Sequence, residues 1–178
     1  MSAIILSAIG GVIMMFGGVF CKKTTTPKYW AIAGIIIILL ANALEFSGTH
    51  LFNVDTKGML KFDNFSLHFN TIAFSCTLLF FLLNGRDIEK VGHNVSEYFA
   101  LIFFVLCGVS ISSSFNTLLL LFLGIEIMSI PLYILTGSDK RNLKSNEASL
   151  KYFLMGAFST GIMLMGIALV SGGNSLGS

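Results

Sequence analysis

Charge is what this chain has least of. Only 11% of its 178 residues are Asp, Glu, Lys or Arg, against about 25% in an ordinary soluble domain. So little charge excludes a conventional water-facing globular surface. The net charge of +2 is equally small, which excludes a nucleic-acid partner held by phosphate contacts. Cysteine is scarce too. Cys76 and Cys107 lie inside apolar runs, and with Cys21 they show no pairing or metal-ligand spacing, so all three read as reduced packing residues. His50, His68 and His93 are scattered, with no Cys or carboxylate at ligand spacing. There is no CxxC set, no haem-type His pair, no phosphate-cradling Gly loop and no nucleophile elbow.

Long apolar runs are what the chain has instead. It is 54% hydrophobic with 17 Phe and a mean hydropathy of +0.84, so lipid is the expected solvent. About 20 apolar residues span the hydrocarbon core as a helix. Six such segments are expected, at about 3–20, 29–46, 65–84, 97–112, 117–136 and 148–170. The punctuation between them is polar: "CKKTTTPK", "SGTHLFNVDTKGMLKFDN", "GRDIEKVGHNVS", "SSSFN" and "GSDKRNLKSNE". The fold class is therefore all-α, a polytopic transmembrane helical bundle in one domain. Trp30, the only tryptophan, and Tyr29 stand where a helix crosses the membrane interface, a usual aromatic-belt position.

The loops give an orientation. A signal peptide carries its positive charges before the apolar core, but here Lys22 and Lys23 follow it, so the first helix reads as uncleaved. Loops one, three and five hold Lys22, Lys23, Lys28, Arg86, Lys90, Lys140, Arg141 and Lys144, whereas loops two and four hold only Lys57 and Lys61. Positively charged loops stay on the cytoplasmic side. That eight-to-two split puts the N-terminus outside. Small residues recur at Gly10/Gly11 and Gly17/Gly18 on one face of the first helix, and at Gly156/Thr160 and Ala157/Gly161 in the sixth. Such positions let helix backbones approach closely in lipid, although glycine is also commonplace in membrane helices.

Two residues look out of place in "FLGIEIMSIPLYIL". Glu126 is about ten residues, or roughly 15 Å, from either end of its helix. A central acid costs about 2.5–3.5 kcal/mol on insertion scales. A glutamate cannot reach water from that depth, so it must face protein or trapped water. Held between burial and a nearby cation, it can load and release a proton; the plainer alternative is a hydrogen bond to a neighbouring helix. Pro131 removes a backbone donor and leaves the carbonyl of Ile127 without its helical partner, which a simple packing kink also explains. Ser129 and Tyr133 share roughly the face of Glu126.

Lys151, in "NEASLKYFLMGAF", admits two readings. It snorkels to the cytoplasmic face, or it turns inward on a hydrated path toward Glu126. Glu147 lies four residues earlier, in the favourable order for a helical ion pair. Glu97, in "SEYFALIFF", starts the fourth helix, where it caps the helix or sits at the mouth of a proton path. Glu45 ends the second helix and is expected to reach water.

The stretch "SEYFALIFFVLCGVSISSSFNTLLLLFLGIEIMSIPLYILTG", followed by "SNEASLKYFLMGAFSTGIMLMGIALV", resembles the antiporter-like membrane subunits of bacterial NADH-quinone oxidoreductase, respiratory complex I. "LGIEIMSIPLY" joined to "EASLKYF" looks more like subunit N than L or M. The match is close over Glu97 to Val170; the preceding helices agree in number, spacing and topology. The resemblance implies proton translocation coupled to electron transfer from NADH to quinone, in a bacterial inner (plasma) membrane. It places Glu126 on the fifth-helix glutamate of a proton half-channel, Lys151 on an accessory lysine of the same path and Glu97 on an acidic position heading the fourth helix. It implies no cofactor in this chain, with NADH, FMN, iron–sulfur clusters and quinone on other subunits. The implied partners are the bilayer and other membrane subunits of complex I, especially antiporter-like and small ones. A cation/proton antiporter or membrane-bound hydrogenase subunit shares the fold, and a non-transporting structural fragment is a further alternative. In the family, about fourteen helices form two inverted repeats. Here the first repeat would begin near residue 97 and be incomplete at Ser178, short of the seventh-helix lysine, so either a piece of a longer subunit or a reading frame that ends early is expected.

Overall fold

The computed structural model describes residues 1–20, 26–46, 58–84, 95–139 and 142–176. Among these, six helices follow one another: α1 (Ser2–Phe20), α2 (Thr26–Phe46), α3 (Asn64–Asn84), α4 (Val95–Ser113), α5 (Leu118–Thr136) and α6 (Leu143–Leu176). Five are long and apolar enough to cross a membrane; α1 is apolar over the shorter stretch Ser2–Gly18. At 1.5 Å per residue α1 extends for about 28 Å, close to the thickness of the hydrocarbon core.

Helix ends differ from expectation where capping outruns hydropathy. α6 starts at Leu143, five residues before its apolar run, because Asn142 caps it. The Asn142 side chain accepts from the Lys144 amide at 3.0 Å, and its carbonyl accepts from the Asn146 amide at 3.1 Å. α5 begins after Thr117, whose hydroxyl accepts from Leu120 N. Pro27 sits in the first turn of α2, where its missing N–H costs nothing.

α4 is the centre of the bundle and packs on α1, α2, α3 and α5. Its Phe99 and Phe103 are fully buried with Phe74 and Phe81 of α3, Ile35 of α2 and Met14 of α1. Phe81 meets Phe99 edge-on, with ring centroids 4.8 Å apart. Three of the four α1 glycines lie against side chains of α4, not against its backbone: Gly10 over Phe103, Gly11 over Phe104 and Gly18 over Ser96, whereas nothing lies within 4 Å of a Cβ added at Gly17.

Two further glycines join α4 to α5. A Cβ on Gly108 would fall 2.6 Å from the Met128 backbone nitrogen, and one on Gly124 would fall 2.8 Å from Ser112 N. The two helix backbones therefore touch with no side chain between them. Gly108 and Ser112 form a small-xxx-small pair that carries this signal in the sequence. The turn between these helices is pinned at the same end. Lys61 N donates to Ser114 O at 2.8 Å and Asn116 N to Met59 O at 3.0 Å, making an isolated antiparallel bridge of Leu60 with Phe115.

α6 is held to the rest by α5. Tyr133 is buried and stands edge-on to Tyr152 and Phe153, with centroids 4.8 and 5.7 Å away. Ser149 Oγ donates to Tyr133 O at 2.9 Å and Ser145 Oγ to Thr136 O at 2.8 Å. Gly156 makes room for the tyrosine, because a Cβ there would overlap Tyr133 Oη at 1.9 Å. Gly156→Leu should therefore expel the ring and loosen α6, read as faster protease cleavage in the α5–α6 loop of the membrane-embedded protein. Gly161→Leu, with nothing within 4 Å, should leave cleavage unchanged. The remaining α6 surface, including Leu154, Met155, Phe158 and Met165, is exposed, which suits lipid or neighbouring protein.

Candidate functional site

Glu126 is the ninth residue of the nineteen in α5, so roughly 12–15 Å of helix lies on either side of it. Helical spacing sets the direction it faces. Gly124 and Met128 touch α4. Glu126 is about 200° from Gly124 around the axis, whereas Tyr133, seven residues further on, returns to within about 20° of it. Glu126 therefore lies on the side of α5 that Tyr133 turns to α6, away from α4. Its side chain is half-buried. One carboxylate oxygen, Oε2, is enclosed and has no hydrogen-bond partner among the described residues. A buried acceptor left unsatisfied costs about 1–3 kcal/mol, and native proteins keep few of them.

The surroundings of Glu126 are less polar than the sequence suggests. The Ser129 hydroxyl donates at 2.7 Å to the Ile125 carbonyl on its own helix, so it serves the backbone and not the acid. Pro131 is buried inside α5, which runs through it without a break. Tyr133 anchors α6 as described above. Ser129 and Tyr133 share the acid's face, but neither hydrogen-bonds to it.

Lys151 is paired within its own helix. Its Nζ lies 2.5 Å from Glu147 Oε1, and both side chains are more than 60% exposed. An exposed i,i+4 pair contributes under about 1 kcal/mol. The structure does not bring Lys151 to Glu126 through any contact, and the two remain separate elements of the site. Glu97 is exposed in the first turn of α4, where negative charge favours the helix dipole; this fits capping.

Glu45 corrects an expectation. It does not reach water but is buried at 7% exposure. Its Oε1 accepts from the Met1 amine at 2.6 Å, from Ser2 N at 2.8 Å and from Ser2 Oγ at 2.6 Å. The cause is tertiary, because the start of α1 folds over the end of α2. Nearby positions on α2, α3 and α4 add a buried polar seam absent from the sequence reading. Asn42 Nδ2 donates to Thr71 Oγ1 at 2.8 Å, Ser113 Oγ to Asn70 Oδ1 at 3.1 Å, and Ser66 and Ser114 share a hydroxyl contact at 2.6 Å. The available signal was the spacing of Asn42 and Glu45, three apart on one face of an apolar helix. Of the cysteines, Cys107 is buried as expected and points at the Ile4 carbonyl, whereas Cys76 is exposed. Cys21, His50, His93 and the loop cations Lys22, Lys23, Lys57, Arg86, Lys90, Lys140 and Arg141 lie outside the described residues.

Comparison with known proteins places this arrangement. The family described as "NADH:quinone oxidoreductase/Mrp antiporter, TM" matches residues 115–176, which hold Glu126 and Lys151. NADH-quinone oxidoreductase subunit N of Cytophaga hutchinsonii is 41% identical over 97% of this chain and 37% of its own length. Subunit N of Flavobacterium johnsoniae is 37% identical over 87% of this chain and 34% of its own length. Among solved structures, a chain of respiratory complex I from Thermus thermophilus with bound aureothin superposes with a TM-score of 0.76 at 25% identity, covering 96% of this chain and 36% of that one. The chain thus spans little more than a third of the length of the relatives it matches. The similarity runs from α1 to α6. A six-helix membrane fold and relatives named NADH-quinone oxidoreductase subunit N, at up to 41% identity along 97% of its length, mean that the chain belongs to the NADH-quinone oxidoreductase subunit N family.

Proposed function

We propose that this chain forms part of a proton-translocating membrane subunit of NADH-quinone oxidoreductase, with Glu126 as the group that loads and releases the proton. The observation that carries this reading is the enclosed, unpartnered carboxylate oxygen at the middle of a membrane-crossing helix. An acid kept there at a cost, on the α6-facing side of α5, suits transfer better than support. The reaction class is proton relay, driven by electron transfer from NADH to quinone on other subunits, which would also hold FMN and the iron–sulfur clusters. Glu97 and Lys151 would serve at the cytoplasmic end of the same path, with the first inverted repeat opening near residue 97. The eight-to-two loop charge split supports an outside N-terminus in a bacterial inner membrane.

In this reading Lys151 is a positioning cation that leaves Glu147 when the path is loaded. Lys151→Met in the assembled complex should leave subunit abundance unchanged, since an exposed pair is worth little, yet lower proton pumping in proteoliposomes. Pumping equal to wild type would remove Lys151 from the path and leave it as a surface ion pair. Replacement of Glu126 by Gln, argued below, tests the central claim. A cation/proton antiporter role would instead show as sodium- or potassium-coupled proton movement without NADH.

A further inference from the structure

The buried polar seam of α2, α3 and α4 plays no part in the proposed role of Glu126, and three oxygens in its neighbourhood are left over. Asn42 Oδ1, Glu45 Oε2 and Ser110 Oγ are enclosed and have no hydrogen-bond partner among the described residues. Asn42 and Ser110 are fully buried, and Glu45 is 7% exposed. Native proteins keep few such groups without a partner.

The bonds around these oxygens bring them to one junction. Asn42 and Glu45 are three apart on one face of α2. Asn42 Nδ2 donates across to α3, to the Leu67 carbonyl at 3.2 Å and to Thr71 Oγ1 at 2.8 Å. Asn70, beside Thr71, accepts from Ser113 of α4, and Ser110 lies one turn before Ser113. α1 runs antiparallel to α4, with Gly18 over Ser96, Gly10 over Phe103 and the Ile4 carbonyl facing Cys107. One turn past Cys107, Ser110 comes level with the first residues of α1, where Ser2 holds Glu45 Oε1. Four helices therefore converge on the three oxygens.

The chemistry of what is left over selects the ligand. Both hydrogens of the Asn42 amide are spent, so its Oδ1 offers only lone pairs, as does a carboxylate oxygen. The Ser110 hydroxyl adds a hydrogen that needs an acceptor. A water molecule meets all three demands: it donates to Asn42 Oδ1 and to Glu45 Oε2, and it accepts from Ser110. Buried waters make about three such bonds. A metal cation fits less well, because it leaves the Ser110 hydrogen without an acceptor and because Glu45 already meets the positive Met1 amine.

We infer that a single buried water molecule is bound where α1, α2, α3 and α4 converge, bridging Asn42 Oδ1, Glu45 Oε2 and Ser110 Oγ. Ser110 is about 200° around α4 from Gly108, which touches α5. The bound water therefore sits on the far side of α4 from Glu126 and belongs to a site of its own.

The test is electron cryomicroscopy of the complete complex, in sodium-containing and sodium-free buffer, at a resolution that shows other buried waters of the same subunit. Wild type should show one rounded density in both buffers, within about 2.5–3.0 Å of all three oxygens, the ordinary range for hydroxyl hydrogen bonds. Ser110→Val, which removes the hydroxyl and puts a methyl group toward the site, should lose that density. No density between the three oxygens in wild type overturns the proposal. So does a direct Ser110–Glu45 hydrogen bond, a density present only with sodium, which would make the site a cation site, or a density that survives Ser110→Val unchanged. If Ser110→Val fails to assemble, the two wild-type maps decide alone.

Discussion

Glu126→Gln in the assembled complex should cut proton pumping by at least about half while the subunit still inserts and accumulates normally. Glutamine keeps the shape and polarity of the side chain but cannot ionise, so what it removes is proton transfer, an effect that positioned acids and bases commonly supply in large measure. Stability should not fall, because Oε2 has no partner among the described residues to lose. Glu126→Asp should retain part of the pumping, since the acid survives with a shorter reach. The measurement is proton uptake per NADH oxidised in proteoliposomes, set beside subunit abundance in the same membranes. Lost abundance with pumping per complex unchanged would make Glu126 a structural residue. Pumping at the wild-type ratio in a normally assembled complex would sink the proposed role altogether.

The second large effect is expected at Gly108. Its Cβ would sit 2.6 Å from Met128 N and 2.9 Å from Met128 Cα, and backbone cannot swing aside as a side chain does. Gly108→Ala should force α4 and α5 apart at a cost of about 1–3 kcal/mol, the range for overpacked cores. Gly108→Leu should stop the subunit accumulating. Gly17→Ala, in open space, serves as the comparison. Thermal dissociation of the detergent-solubilised complex, with immunoblotting of membranes, reads both effects. A Gly108→Ala complex as heat-stable as the Gly17→Ala one would show that the α4–α5 contact is looser than described.

How far these features could be read from the sequence depended on whether their cause is local. Glu126 and Pro131 stand out because an acid and a helix breaker violate the composition of their own helix, and the apolar runs locate the helices for the same reason. Helix ends were less legible: α6 starts where Asn142 caps it, a geometric event that hydropathy does not register. Glu45 was misread because its environment comes from Ser2, 43 residues away, which no window along α2 contains. The α4–α5 seam lay between these cases. Gly108 and Ser112 have the spacing of a contact motif, but so do other small residues, and only the fold shows that Gly108 meets backbone while Gly161 meets nothing. The Lys151–Glu147 pair, by contrast, was legible from its spacing, since i,i+4 geometry is a property of the helix alone.

The backbone contact at Gly108 and Gly124 also has an electrical consequence. A single water needs about 10–15 Å³ of free volume and polar partners, and two helices touching through their main chains leave neither. The α4–α5 seam is therefore an insulator at the depth of Glu126. Any wire of water reaching that acid must come along the opposite flank of α5, where only side chains close the way and where they can reorient. On the proposed reading of Glu126, a membrane that must hold a voltage gains from this one-sidedness, because the wall behind the acid is built from main chain, which does not swing open.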